Sequence, residues 1–222
     1  MTTPRPVRKK PRSARPAEVV REYGPFAGTE AVHGVTYDGT HVWLARGENL
    51  VALDPATGAL GRELPVQATA GTAFDGQHLW QLADDRIQKV DPQSGRVLLT
   101  LPAPAQGRDS GMAWAEGSLW VGEYRARKIH QVDPTTGAVL RTLDSDRFVT
   151  GVSWVEGQLW HGAMDESQGE LRRIDATSGE VLEALTMPTG VTVSGLESDG
   201  AGLFYCGGGA SGKLRAVRKT SR

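Results

Sequence analysis

A segment that opens on glycine and carries an aromatic residue nine positions later occurs five times in this chain. The pairs are Gly34 with Trp43, Gly71 with Trp80, Gly111 with Trp120, Gly151 with Trp160, and Gly195 with Phe204. In four of the segments an Asp-x-x-x-Gly turn follows, at Asp54 to Gly58, Asp91 to Gly95, Asp133 to Gly137 and Asp175 to Gly179. A period of about 40 residues is the sequence signature of propeller blades, units that bury their apolar faces only by packing on their neighbours.

Each repeat reads as four strands. The first, as in 32–37 or 149–154, runs into a tight turn at Asp38-Gly39, Asp75-Gly76, Glu116-Gly117, Glu156-Gly157 or Asp199-Gly200, and such dipeptides are a strong hairpin signal. The second strand carries the aromatic and the third leads into the Asp turn. The fourth follows its glycine, as in 59–64, 96–101, 138–143 and 180–185. In Asp-Pro-x-Thr-Gly the Asp side chain starts the turn, Pro fixes φ, and Gly takes the left-handed position.

The fifth repeat has no Asp turn and no fourth strand. Residues 17–25 match the missing strand as it appears in 179–185, so the N-terminal strand is expected to close the ring and leave no free edge. The predicted fold is all-β: a five-bladed β-propeller of four-stranded antiparallel blades, with residues 17–222 as a single domain and residues 1–16 as a disordered basic tail. A β-sandwich gives no reason for five copies of one spacing, and an open solenoid needs polar caps. Thr36, Ala73, Ala113 and Ser153 stand two positions after their glycines, where the inner strands of a narrow channel crowd; Glu197 breaks that series.

Of the 25 Lys and Arg residues, 11 lie in residues 1–16 and 213–222, which hold no acid, leaving 14 against 26 Asp and Glu in the body. The body is acidic and both ends are basic. The ends read as solvated tails rather than a nucleic-acid footprint, so no nucleic-acid partner is expected. No apolar run approaches the roughly 18 residues of a membrane span, and residues 1–16 lack the apolar stretch of a secretory leader. With Cys206 as the single cysteine, the expectation is a cytoplasmic protein, and an edgeless ring suggests a monomer.

The interval from the aromatic to the turn Asp grows from 11 residues in the first two repeats to 13 and then 15. All of that growth falls between the second and third strands, on the side of the ring that also carries the blade-to-blade connections. One face is standardised and the other individual, as expected when function rides on loops held by a rigid scaffold. Its candidate ligand-binding residues are His33, Arg46, Glu48, Asp84, Asp109, Glu123, Tyr124, Arg125, His161, Asp165, Glu166 and Tyr205. They are expected around the channel mouth, where a concave surface with mixed charge and aromatics suits a small molecule or peptide.

His33 and His161 are the histidines mapped to that face. Each is a candidate general base, or a ligand to a divalent metal in the channel with Glu123, Asp165 or Glu197. No H-x-x-x-H pair, Cys cluster or dense Asp/Asn loop supports a metal, and no cofactor is predicted. A G-x-S-x-G elbow, a phosphate loop and a dinucleotide fingerprint are all missing. Cys206 reads as a buried inert thiol, and the six tryptophans fall at repeat positions that mark core between blades.

The run Gly-Val-x-x-Asp-Gly-x-x-Val-Trp followed by Leu-Asp-Pro-x-Thr-Gly, from Gly34 to Gly58, resembles the repeats of YVTN-type and quinoprotein-like bacterial propellers. Among five-bladed members, Leu79-Trp80-Gln81-Leu82, and Leu203-Phe204 with Gly212-Lys213-Leu214, are similar to strands of the glutamine cyclotransferases, the plant-type glutaminyl-peptide cyclases. The resemblance implies pyroglutamate formation from N-terminal Gln, with Glu123, Glu197 or His33 as catalytic candidates that move a proton from the α-amine to leaving ammonia. The chain departs from that family before its first two ring glycines, where His33 and Ala70 replace an acidic or amide residue. Metal-dependent lactonase propellers use Asn ligands, whereas this chain has only Asn49. Two readings result: a propeller that binds a ligand without evident catalysis, and a cyclase.

Overall fold

The computed structural model describes residues 9–165 and 168–219. Strands β1 (Ser13–Pro16) and β2 (Val19–Tyr23) precede blade 1, which is β3 (Gly34–Tyr37), β4 (Val42–Ala45), β5 (Leu50–Leu53) and β6 (Leu60–Leu64). Blade 2 is β7 (Thr72–Phe74), β8 (Leu79–Ala83), β9 (Arg86–Val90) and β10 (Val97–Pro102). Blade 3 is β11 (Asp109–Ala115), β12 (Ser118–Glu123), β13 (Lys128–Val132) and β14 (Val139–Asp144). Blade 4 is β15 (Phe148–Val155), β16 (Gln158–Asp165), β17 (Gln168–Ile174) and β18 (Val181–Thr186); β19 (Gly195–Ser198), β20 (Leu203–Gly207) and β21 (Leu214–Arg218) form blade 5. There is no helix among the described residues, and so none long and apolar enough to cross a membrane.

Strand β2 pairs antiparallel with β21 and supplies the fourth strand of blade 5. The ring therefore closes as the sequence predicts. The tail differs from expectation: β1 pairs in parallel with β18 and adds a fifth strand to blade 4. Backbone pairing and the acidic side chains of that edge order residues that composition alone reads as solvated. Residues 1–8, the rest of the expected tail, lie outside the described residues.

The ring glycines form the waist of the channel by close approach. A Cβ on Gly34 would lie 2.9 Å from Gly71 Cα, one on Gly71 2.6 Å from the Gly111 carbonyl carbon, and one on Gly111 2.5 Å from that of Gly151. On Gly151 it would lie 2.7 Å from Leu196 N, and on Gly195 2.8 Å from Val35 N. Real side-chain carbons do not come so near to backbone, so the five inner strands meet only because none of these positions carries one.

Each Asp-x-x-x-Gly turn forms as read. Gly58 N donates to Asp54 O at 2.7 Å and Ala56 N to Asp54 Oδ1 at 2.8 Å, with Gly58 left-handed at φ +82°. Aromatic seams join the blades. Trp43 packs with Phe74, Trp80 stacks on Trp114 (centroids 5.8 Å) and Trp120 on Trp154 (5.6 Å). In each, the aromatic of one blade meets the residue three positions after the next blade's glycine.

The constant offset of nine conceals a register change. Thr36, Ala73, Ala113 and Ser153 pair with Trp43, Trp80, Trp120 and Trp160, but in blade 5 Glu197 pairs with Tyr205 and Ser198 with Phe204. A slip of one residue turns a side chain to the other face of the sheet. Phe204 therefore faces back onto Trp160 of blade 4 (4.8 Å), and Tyr205 faces Tyr37 of blade 1 (5.9 Å). The hairpin between first and second strands is accordingly not uniform. Asp38 Oδ1 accepts from Thr40 N and His41 N, and Oδ2 from Trp43 Nε1, with Asp75 doing the same beside Trp80. Glu116-Gly117 and Glu156-Gly157 instead make two-residue turns with positive φ at both positions, the type I′ geometry.

Candidate functional site

Five inner strands begin at the channel mouth, and the residue just before each ring glycine lies there: His33, Ala70, Ser110, Thr150 and Ser194. With Arg108, Asp109, Tyr124, Arg125 and Met164 they line a cavity of about 520 Å³. The starts of the inner strands and the connections before them supply the first group with Arg108 and Asp109, the loop after β12 supplies Tyr124 and Arg125, and the end of β16 supplies Met164. The individual face of the sequence is thus the concave face of the fold.

The wall is hydrogen-bonded. Ser110 Oγ donates to Val149 O of the next blade at 2.7 Å, and Ser194 Oγ donates to Val32 O across the closing seam. Thr150 Oγ1, at the equivalent place between them, is buried without a hydrogen-bond partner among the described residues. Asp109 accepts from Ala105 N (3.1 Å) and Gly107 N (3.3 Å), yet burial pushes its carboxyl above the usual carboxylate range. Burial also lowers the His33 imidazole below its ordinary value, which leaves it neutral at physiological pH. Arg108 is held by Glu123, Nε to Oε1 at 3.2 Å, and Glu123 Oε2 lies 3.3 Å from His130 Nε2. The exposed guanidinium of Arg125 has no hydrogen bond or ion pair among the described residues. Tyr124 stacks on Phe148 with centroids 4.9 Å apart.

Of the sequence candidates, His33, Asp109, Tyr124 and Arg125 line this cavity. Glu123 stands behind the wall as the anchor of Arg108. Arg46 reaches Ala27 O at 3.3 Å, Glu48 is exposed, and Asp84 accepts from Gln67 Nε2 at 2.7 Å, all on the rim of blades 1 and 2 and outside the cavity. Asp165 pairs with Arg147 at 3.0 Å; Glu166 lies outside the described residues. His161 and Tyr205 are core. The faces of a blade look at neighbouring blades rather than at the channel, so the His161 ring packs beside Ile129, Leu143 and Ile174, and burial with nearby Arg172 lowers it to about 4. Tyr205 is buried against Tyr37, its phenol pushed up to about 12 by burial.

Glu197 lies beyond the glycine waist, away from the mouth. Its Oε1 accepts from Ser153 Oγ (2.7 Å) and Ser198 N (2.8 Å), its Oε2 from Thr36 Oγ1 (3.0 Å), and burial raises it to about 7. Among the described residues no three His, Cys, Asp or Glu side chains converge as a metal set, and the two histidines considered for one sit apart, His33 at the mouth and His161 between blades 3 and 4. Sequence reading missed Arg108. Its only signal is its place three residues before Gly111, in the connection that carries Asp109.

No protein-family model and no curated protein matches the chain. Among solved structures it is similar to the glutaminyl cyclase of Myxococcus xanthus, with a TM-score of 0.75, 18% identity, and coverage of 94% of this chain and 98% of that one. It is also similar to the β-propeller domain of Cps50 (Swd1) from Myceliophteria thermophila (TM-score 0.57, 9% identity, 92% and 100% covered). The virginiamycin B lyase of Staphylococcus aureus matches at a TM-score of 0.52 and 14% identity, over 90% of this chain and 70% of that one. At these identities the likeness is one of fold.

Proposed function

We propose that the chain binds a small molecule or short peptide bearing an anionic group in the cavity at its channel mouth. The observation that carries this reading is a concavity of about 520 Å³ whose rim presents Arg125 without a partner among the described residues and Arg108 oriented by Glu123. A guanidinium free of internal partners is available to a carboxylate or phosphate. Tyr124 offers an aromatic wall, and the hydroxyls and carboxyl below it offer orientation.

A thermal-shift panel of short peptides, sugars, lactones and divalent ions tests the reading, since a ligand that binds only the folded state raises the melting temperature by mass action. The expected hit is an anionic compound whose shift is lost in Arg125→Ser. A shift retained in that variant, or no shift with any anionic compound, counts against it.

A second reading, cyclisation of N-terminal Gln, is favoured by one specific feature: His33 and Asp109 share the cavity, one displaced toward the neutral base and the other toward the neutral acid. In that reaction the α-amine attacks the γ-carboxamide carbon, a C–N bond forms within the five-membered ring, and ammonia leaves. His33 would take the amine proton and Asp109 would deliver one to the leaving nitrogen. Glu123 and Glu197 drop out of those roles, one behind the wall and one past the waist. Ammonia release from a Gln-initiated peptide, abolished by His33→Ala and Asp109→Asn, is the expected result of this reading; its absence leaves the binding reading standing alone.

A further inference from the structure

Blades 1, 2 and 3 end in outer strands that face solvent: β6, β10 and β14 are exposed over most of their length, with Val97, Leu98, Leu99, Val139 and Leu140 uncovered. Blade 4 does not. Its outer strand β18 buries Val181, Glu183, Ala184 and Leu185, because β1 runs along it in parallel register from Ser13 opposite Glu183 to Pro16 opposite Thr186. Backbone bonds extend the pairing at both ends, Arg12 N to Val181 O (3.2 Å) and Ala17 N to Thr186 O (2.8 Å).

The chemistry of this edge is specific. Arg12 makes a two-pronged pair with Glu180, Nε to Oε1 at 2.9 Å and Nη2 to Oε2 at 2.7 Å, and Arg15 Nη2 reaches Glu183 Oε1 at 2.5 Å. Lys9 caps the end of the groove: Nζ donates to Asp144 O and Gly179 O, and its backbone N to Asp146 Oδ2. The outer strand of blade 2, Val-Leu-Leu-Thr-Leu-Pro, offers no charge, and that of blade 1 places Arg62 beside Glu63. Blade 4 sets Glu180 and Glu183, three positions apart, against Arg12 and Arg15 at the same spacing.

The seated segment is also lightly held. All four residues of β1 are exposed, and the Arg12–Glu180 pair is about half to two-thirds exposed on each side. Exposed ion pairs and four rungs of edge pairing contribute little, so the segment belongs to the low-stability end of the structure. We propose that the outer edge of blade 4 is a docking site for a basic, extended peptide segment, and that residues 9–16 are its resident and exchangeable ligand. Recognition is by strand addition, with the main chain supplying the pairing and two basic side chains three positions apart, opposite Glu180 and Glu183, supplying the selectivity.

The test uses the full chain with Arg12→Glu and Arg15→Glu together, which sets like charges against Glu180 and Glu183 and leaves the closing strand β2 intact. Amide hydrogen exchange over residues 181–186 is expected to rise about tenfold relative to the parent, while exchange in β20 and β21 stays constant as the control for folding. A labelled peptide of residues 9–17 is expected to bind the variant at least tenfold more tightly than the parent, whose edge is occupied. Equal exchange in the two proteins, absence of peptide binding to the variant, or equally tight binding of an oligolysine of the same charge would each overturn the proposal.

Discussion

Glu197 accepts a hydrogen bond from Ser153 of the preceding blade at 2.7 Å, while its second oxygen accepts from Thr36 of the following blade at 3.0 Å. One carboxyl therefore ties blades 4, 5 and 1 together on the far side of the glycine waist. The three residues stand at the same repeat position, two after their glycines, where blades 2 and 3 carry Ala73 and Ala113.

Burial raises this carboxyl from about 4.5 to about 7 against the pull of its three donors. An acid that is raised on folding adds stability in full below its unfolded value and loses it as pH rises from there through the folded value, because the unfolded chain ionises while the folded carboxyl stays neutral. Glu197→Gln is thus expected to gain on the parent as pH climbs from 4.5 to 7 and to hold that gain above it. The gain should reach roughly 2 kcal/mol, less than the full displacement because the residue keeps some contact with solvent. Urea unfolding of both proteins at pH 5 and pH 8 measures it, and a difference independent of pH refutes the assignment.

The waist gives a sharper steric prediction. A methyl group at Gly111 would stand 2.5 Å from the Gly151 carbonyl carbon and from Val152 N, backbone atoms of the next inner strand that cannot rotate away. Gly111→Ala is expected to destabilise by about 3 kcal/mol or more. At Gly61, on an outer strand, the nearest atom to such a methyl is Ala52 O at 3.8 Å. Gly61→Ala is expected to be neutral or to stabilise by about 0.5 kcal/mol through the unfolded chain. Thermal unfolding of the pair separates a packing role from a general intolerance of alanine.

Blade count, ring closure and the location of the variable face are legible in the sequence because repeats, turn dipeptides and loop lengths are local signals. The fate of individual side chains is not. Phe204 keeps the nine-residue offset, yet the turn at Asp199, whose Oδ1 gathers the amides of Ala201, Gly202 and Leu203, shifts its register by one. That exchange puts Tyr205 where the other blades carry tryptophan. Sequence position places His161 and Tyr205 at the mouth, whereas a propeller strand directs its side chains at adjacent blades and buries both of them there. Asp109 and Arg125 were legible because their places lie in or beside the loops that do reach the mouth.

The register change predicts unequal consequences for adjacent residues. Phe204 fills the seam with Trp160, so Phe204→Ala is expected to cost about 3 to 5 kcal/mol. Tyr205 contributes its ring to the seam with Tyr37, and Tyr205→Phe is expected to change stability by less than about 1 kcal/mol and leave binding at the mouth unaltered. Denaturant unfolding and ligand titration of the two variants check both statements; a loss of ligand affinity in Tyr205→Phe would return Tyr205 to the site.

His161 supplies the opposite pH dependence to Glu197. It is buried beside Arg172, which is itself held by Asp146 at 2.7 Å and Glu170 at 2.6 Å, and its imidazole is lowered to about 4 by burial first and by that guanidinium second. A base lowered on folding contributes in full above its unfolded value near 6.5. As pH falls from 6.5 toward 4 the unfolded chain takes up a proton that the folded chain refuses, and stability declines by about 3 kcal/mol. Between pH 4.5 and 6.5 the two groups pull in contrary directions, His161 favouring the higher pH and Glu197 the lower, so their joint contribution to the parent's stability is nearly flat. Removing one exposes the other. His161→Phe is expected to show stability that falls with rising pH across this window, and Glu197→Gln stability that rises across it. Unfolding free energies at pH 4.5, 5.5 and 6.5 for both variants decide the matter, and parallel slopes in the two would show that neither group titrates as its surroundings dictate.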